Sequence, residues 1–295
     1  MTKIVDKVTV FTPTYNRGYI LDRAYNSLLK QTNKNFEWLI VDDGSIDNTQ
    51  KKVKEWIKEN KIQIRYIYQR NQGKPLAHNT GVLNAKYNLF FCLDSDDFLV
   101  DNCIEIILKE YKKIRDDNKI TGLIAKRQFL NESKILPPFP SKKSVTLLDL
   151  VYKYNYKYDL LLVYKKECLK RFLFPSIPNE KFIPEPYVYN QIDQLGTMIL
   201  IDKELYMCEY LEDGYSKNVK KLITNNPIGY MKFAKQEMML AKNIKLKCID
   251  AIRYSIGCIL SGRKKELLQV KFSYKVLIIL VFPITIVAYI KKYVK

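Results

Sequence analysis

Three short stretches concentrate the side chains able to do chemistry, and each directly follows an apolar, β-rich run. The densest is Leu93-Asp94-Ser95-Asp96-Asp97, placed after Leu89–Leu93. Carboxylates this close repel one another unless a cation or a bound ligand compensates them. Hard divalent ions want oxygen ligands, and Mg²⁺ typically takes one or two carboxylates together with substrate phosphates. Taken alone, the same residues also fit a solvated loop whose Asp caps a helix starting near Asn102. The second stretch is Val41-Asp42-Asp43-Gly44-Ser45. An Asp at a strand end can accept hydrogen bonds from a base or ribose, and Gly44 permits a sharp turn. Capping of the next helix by Ser45 or Asp47 is the alternative use. The third is Phe11-Thr12-Pro13-Thr14-Tyr15-Asn16-Arg17, where Tyr15 could stack on a base and Arg17 could meet a phosphate. An ordinary turn with a helix cap accounts for it equally well.

The elements that must position these stretches are legible from hydrophobic periodicity. Strand-like runs at Val8–Thr12, Trp38–Val41, Ile62–Tyr68 and Leu89–Leu93 alternate with helical stripes. Ile20, Leu21, Ala24, Tyr25, Leu28 and Leu29 form one stripe, and Val53, Trp56 and Ile57 a shorter one. Alternation at this pace predicts βαβ units in a mostly parallel sheet flanked by helices, an α/β fold. Right-handed crossovers then gather the strand ends on one edge, where an open α/β sheet binds its ligand. A helix at about Asn102–Asp117 and a strand at Ile120–Lys126 continue the pattern. Leu136–Pro140 reads as a loop, with helical runs near Leu147–Tyr154 and Lys165–Phe172.

The chain has 295 residues, 47% hydrophobic, which excludes a disordered chain. Its six cysteines form no CxxC pair and no signal-peptide pattern opens the sequence, so a disulfide scaffold or zinc ribbon is not expected and a reducing cytosol is. The net charge of +19 is concentrated: residues 215–295 carry +14 and residues 1–214 only +5. This predicts a catalytic domain at 1–214 and a basic, helical, membrane-associating region at 215–295. Residues 228–271 look helical and amphipathic. Val276–Ile290 is free of charge, with Lys275 before it and Lys291, Lys292 and Lys295 after it. As a helix it would be about 22 Å long, against a hydrocarbon core of roughly 30 Å, and Pro283 interrupts it. An interfacial or re-entrant anchor, a short spanning helix and a buried core helix all remain open. The basic flanks favour the first, since a Lys near an anionic leaflet is attracted by about 1 kcal/mol.

Taken together, TPTYNR, FEWLIVDDGSIDNT, RNQGKPLAHNTGVLNA and FFCLDSDDFL, in this order and spacing over about residues 6–105, resemble glycosyltransferase family 2. The resemblance implies a GT-A (Rossmann-like) fold and an inverting sugar transfer from a nucleotide-sugar donor, most often a UDP-sugar. It implies that Pro13, Thr14, Tyr15 and Asp43 hold the nucleobase and that Asp94 lies near the ribose. Arg17, Asp42, Lys74 and Ser95 complete the expected donor site. Asp96 would be the metal ligand of a DxD motif, for Mn²⁺ or Mg²⁺, and Asp97 would support the loop. The metal would bridge the diphosphate and stabilise the leaving nucleotide.

Inverting transfer needs a general base for the acceptor hydroxyl. Family members usually supply it from an acidic pair, and no Glu-Asp pair stands in the corresponding stretch Asn179–Tyr187. Glu185 is the best positional match and Glu180 the reserve. A Glu212-Asp213 pair lies later, within Tyr210–Ser216. The Gln/Arg-x-x-Arg-Trp motif of processive members is absent, which points to single addition. The resulting expectation is a transferase acting on a saccharide or lipid-linked saccharide in surface or capsular polysaccharide assembly, at the cytoplasmic face of the cell membrane. Two other readings stand beside it: an inactive GT-A scaffold or partner subunit, and a basic nucleic-acid-binding protein. Asp-rich strand ends would repel phosphates unless metal intervenes, so nucleic acid is not an expected partner.

Overall fold

The computed structural model describes residues 6–130, 136–209 and 218–294. The chain divides into two compact units, one drawn from Met1–Phe174 and Val188–Leu211, the other from Pro175–Tyr187 and Glu212–Lys295.

The first unit is built on a mixed sheet. Strands β1 (Val8–Thr14), β2 (Phe36–Asp42), β3 (Ile64–Tyr68) and β4 (Leu89–Cys92) pair in parallel in the order β3-β2-β1-β4. Helices α1 (Asp22–Lys30), α2 (Thr49–Glu59) and α3 (Lys74–Asn84) make the crossovers. Every residue of β1 and β2 is buried, as expected of central strands covered on both faces. Trp38 and Trp56 stack with Tyr25 between strand and helices, with Tyr25 and Trp56 ring centroids 4.2 Å apart.

Beyond β4 the sheet is mixed, where the sequence pattern predicted mostly parallel pairing. Strand β8 (Leu160–Lys165) runs antiparallel between β4 and β6 (Ile120–Phe129), and β6 pairs in parallel with the long β9 (Thr197–Cys208). Strand β5 (Phe98–Leu99), directly after the acidic loop, pairs antiparallel with Tyr206 and Met207 of β9. That pairing fastens the loop to β9. Helix α4 (Cys103–Lys112) is shorter than predicted. Strand β7 (Ser144–Val145), α5 (Leu147–Tyr152) and α6 (Lys166–Lys170) complete the unit up to α7 (Pro186–Ile192).

The second unit holds α8 (Val219–Asn225), α9 (Pro227–Leu240), α10 (Ile244–Leu260) and α11 (Phe272–Tyr289). The helical reading of residues 228–271 resolves into α9, α10 and a short 3₁₀ helix at Lys264–Leu268. Asn243 accepts from Leu246 N and caps α10, and Gly262 ends the run at a φ of 70°. Met231, Ala234 and Met238 of α9, Ala251, Tyr254 and Cys258 of α10, and Ile278 and Val281 of α11 form its apolar core. Gly257 lets α10 approach α9 closely, because a Cβ there would lie 2.7 Å from the Cα of Met231.

Candidate active site

The parallel register brings the Phe11–Arg17 and Val41–Ser45 stretches to one edge, with Thr14 opposite Asp42. The chain after β4 joins them there, since Leu93 N donates to Phe11 O. The turn after β1 is laced to the turn after β2. Asn16 N donates to Ser45 Oγ, Ile46 N to Asn16 Oδ1, and Gly18 N to Asp47 Oδ2. Burial would raise the Asp47 pKa, but the Thr49 hydroxyl and the amides of Thr49 and Gly18 outweigh it and hold it low. Pro13 and Thr14 are buried, whereas Tyr15 is exposed and Arg17 half-buried with its guanidinium 2.6 Å from Tyr19 Oη.

Asp42 and Asp43 are both buried and play different parts. Asp42 accepts from Tyr66 Oη (2.5 Å) and Ser45 N (2.7 Å). Burial and the Asp42 carboxylate push the Tyr66 phenol well above its ordinary range. Asp43 accepts three bonds, from Gln69 Nε2 (2.7 Å), Gln72 N (2.9 Å) and Gly73 N (2.7 Å). It thereby clamps the segment leading into α3. Gly44 serves that clamp at a φ of 89°, with Asn71 N only 2.9 Å from where a Cβ would lie. Thr14 Oγ1 is buried and, among the described residues, has no hydrogen-bond partner. A polar atom in that state invites a ligand or water at this edge.

The acidic loop is neutralised from two sides. Lys74 Nζ, at the start of α3, lies 2.7 Å from Asp94 Oδ1. Arg127 Nη2 lies 2.7 Å from Asp97 Oδ2 and 3.3 Å from Asp94 Oδ2. Tyr206 Oη donates to Asp97 Oδ2 (2.8 Å) and accepts from Asp94 N (2.9 Å), and its ring lies under the guanidinium at 3.9 Å. A register shift between Lys126 and Arg127 where β6 pairs with β9 accompanies this placement. Bulges of this kind commonly re-aim a side chain beside a site. Burial opposes ionisation of Asp94, but Lys74 and Arg127 hold its carboxyl far below the usual range. For Asp97 burial and the Asp94 charge win, and its carboxyl is pushed up although Arg127 opposes. Ser95 is buried.

Asp96 is the exception. Among the described residues no other side chain hydrogen-bonds or ion-pairs with its carboxylate; burial, then the Asp94 charge, raise its pKa against the opposing pull of Arg17, its own backbone N–H and Lys74. The described residues contain no group of three or more His, Cys, Asp or Glu placed to hold a metal by themselves. The donor set thus fits an ion held by one carboxylate and completed by a ligand's own oxygens, the arrangement Mg²⁺ and Mn²⁺ accept with phosphates.

His78 and the two candidate bases remain. His78 is buried among the rings of Phe11, Phe90, Phe174 and Tyr189. Glu180 and Glu185 belong to the second unit. Glu180 accepts from Ile228 N (2.8 Å) and Gly229 N (2.7 Å), so it caps the N-terminus of α9. Glu185 is exposed, just before α7. Tyr210–Ser216, with Glu212 and Asp213, lies outside the described residues. The site residues that sequence reasoning missed are Arg127, Tyr206, Tyr66 and Gln69. A lone Arg at the end of an apolar strand was the only available signal for the first.

Residues 9–161 match the sequence model of glycosyl transferase family 2, and the chain belongs to that family. Among curated relatives, GlyA of Streptococcus pneumoniae, a glycosyltransferase, is 39% identical over 37% of this chain and 15% of its own length. WfgD of Escherichia coli, a UDP-Glc:α-D-GlcNAc-diphosphoundecaprenol β-1,3-glucosyltransferase, is 28% identical over 59% of this chain and 66% of its own. The match covers only 15–17% of the length of the first few relatives. Among solved structures, residues 1–349 of S. aureus TarS with UDP-GlcNAc superpose with a TM-score of 0.61 at 20% identity, over 92% of this chain and 78% of that one. The mannosyltransferase PcManGT of Pyrobaculum calidifontis with GDP-Man and Mn²⁺ gives 0.55 at 15% identity, over 96% and 81%. The fold is GT-A-like.

Proposed function

We propose that the protein transfers a sugar from a UDP-sugar to a hydroxyl of a saccharide or lipid-linked saccharide, with inversion and with a divalent metal, in surface polysaccharide assembly at the inner face of the cell membrane. The observation that carries the reading is the division of labour in the acidic loop: Asp94 and Asp97 are held by Lys74, Arg127 and Tyr206, while Asp96 is not. When bound, a Mn²⁺ or Mg²⁺ ion would supply Lewis-acid stabilisation of the leaving nucleoside diphosphate. Asp96 would hold it. Pro13, Thr14, Tyr15 and Asp43 would seat the nucleobase, with the Thr14 hydroxyl supplying a polar contact. Lys74 and Arg17 would offer cations to the diphosphate, Lys74 from the N-terminal end of α3, where backbone amides also favour an anion. Glu185 would take the proton from the acceptor hydroxyl. The donor class is supported by the UDP-Glc in the name of WfgD and the UDP-GlcNAc bound by TarS, and metal use by the Mn²⁺ in PcManGT. The lipid-linked acceptor is supported by the diphosphoundecaprenol in the name of WfgD.

The test is sugar transfer from a panel of UDP-sugars to lipid-linked saccharides extracted from membranes. The expected result is metal-dependent transfer that Glu185→Gln lowers by at least roughly 100-fold in kcat while UDP binding is kept. Transfer unchanged in Glu185→Gln would remove that residue as the base. No transfer with any UDP-sugar would remove the donor assignment.

A further inference from the structure

Helix α11 divides along its length into two faces. At about 100° per residue, Ile278, Val281 and Thr285 line up on one side, and all three are buried. Ile278 and Val281 close the core shared with α9 and α10. The opposite side carries Phe272, Val276, Ile279, Leu280, Ile284, Val287 and Ile290, every one of them exposed. Phe272, Leu280 and Ile279 are the most open, at 79%, 71% and 65%. Soluble surfaces rarely present so continuous an apolar face without a binding role.

The ends of the helix say what covers it. Lys271 and Lys275 stand at one end and Lys291 and Lys292 at the other, with Tyr274 near the first pair and Tyr289 and Tyr293 near the second. Amphipathic rings and lysines bracketing an apolar stretch suit the headgroup zone of an anionic bilayer. A second copy of the chain fits poorly. Either helix direction across a two-fold axis would bring lysine pairs against lysine pairs.

The stretch Phe272–Tyr293 is long and apolar enough to cross a bilayer, yet only 17% of its most apolar window is buried in the protein. Crossing would pull Ile278 and Val281 out of the core and expose Met231, Met238 and Tyr254 to water. We infer that α11 lies in the plane of an anionic lipid surface, its exposed face in the acyl boundary and its packed face kept on α9 and α10. This rests on the membrane setting proposed above and is independent of donor and acceptor.

The experiment uses the full chain and phosphatidylcholine vesicles with or without phosphatidylglycerol. Flotation is expected with the anionic lipid and at least roughly tenfold weaker without it. Phe272→Trp, Leu280→Trp and Ile290→Trp, read against the unsubstituted protein, should all be quenched by the same shallow bromolipid, because an in-plane helix holds them at one depth. The combined variant Ile279→Glu, Leu280→Glu, Ile284→Glu should lose flotation while UDP binding is unchanged, which separates this inference from the glycosyltransferase reading. Quenching of Leu280→Trp alone, by a deep bromolipid, would mean a spanning helix and overturn the inference. So would the absence of flotation, or a lipid-free dimer that the Glu variant dissociates.

Discussion

Replacing Arg127 by Met tests how the acidic loop is held. Among the described residues Arg127 and Tyr206 are the side chains that hold the Asp97 carboxylate, and Arg127 also reaches Asp94. The Asp97 side chain is 6% exposed and that of Arg127 20%. Removing one member of a fully buried ion pair costs about 3–5 kcal/mol, because the other charge is stranded. The residual exposure of Arg127 admits some solvent screening, which lowers the expectation to about 3 kcal/mol. For a unit of this size that corresponds to a fall in Tm of roughly 6–12 °C. Asp94 keeps Lys74, so most of the cost comes from Asp97. Adding Asp97→Asn should therefore restore more than half of the loss, a coupling that a double-mutant cycle in thermal or urea unfolding reads directly. A loss below about 1 kcal/mol for Arg127→Met, or strictly additive losses in the double variant, would refute the pairing as the device that holds the loop.

Three further outcomes follow from the same geometry. Gly44→Ala places a Cβ 2.9 Å from Asn71 N at a φ of 89°, and should cost about 1–3 kcal/mol in unfolding and weaken UDP binding through Asp43. Unchanged stability would show that the turn can relax. Lys74→Met should change stability by less than about 1 kcal/mol, since Arg127 still faces Asp94, yet weaken UDP binding roughly tenfold by calorimetry. Equal UDP affinity would exclude Lys74 as a phosphate contact. Glu180→Ala uncovers two amides at the start of α9 and should cost about 1–2 kcal/mol with UDP binding intact. If Glu180→Gln kept its Tm but lost turnover by roughly 100-fold, Glu180 would be the base instead.

The parallel half of the fold was legible because its information is local. Val8–Thr12, Trp38–Val41 and Leu89–Leu93 are short apolar runs followed by Pro13, Asp42 and Asp94, and the structure extends the first by two residues at its C-terminal end and the second by two residues before and one after. The mixed half was not legible, because β8 sits between β4 and β6 through pairings across about 35 to 75 residues, which no period within one strand records. The same contrast divides the site. Asp42, Asp43, Asp94 and Asp96 announce themselves at strand ends. Arg127 and Tyr206 come from strands 33 and 112 residues beyond Asp94, and their part depends on a shift in register. The break of the C-terminal helices was available in the sequence, since Asn243 and Gly262 are ordinary capping residues.

The central claim is that Asp96 is the carboxylate left to bind metal with a nucleoside diphosphate. Calorimetric titration of UDP with and without Mn²⁺, on the unsubstituted protein and on Asp96→Ala, tests it most directly. The account predicts binding that Mn²⁺ strengthens and a variant whose affinity no longer responds to Mn²⁺, with its Tm unchanged. Equal Mn²⁺-dependence in Asp96→Ala, or no UDP binding under either condition, would contradict it.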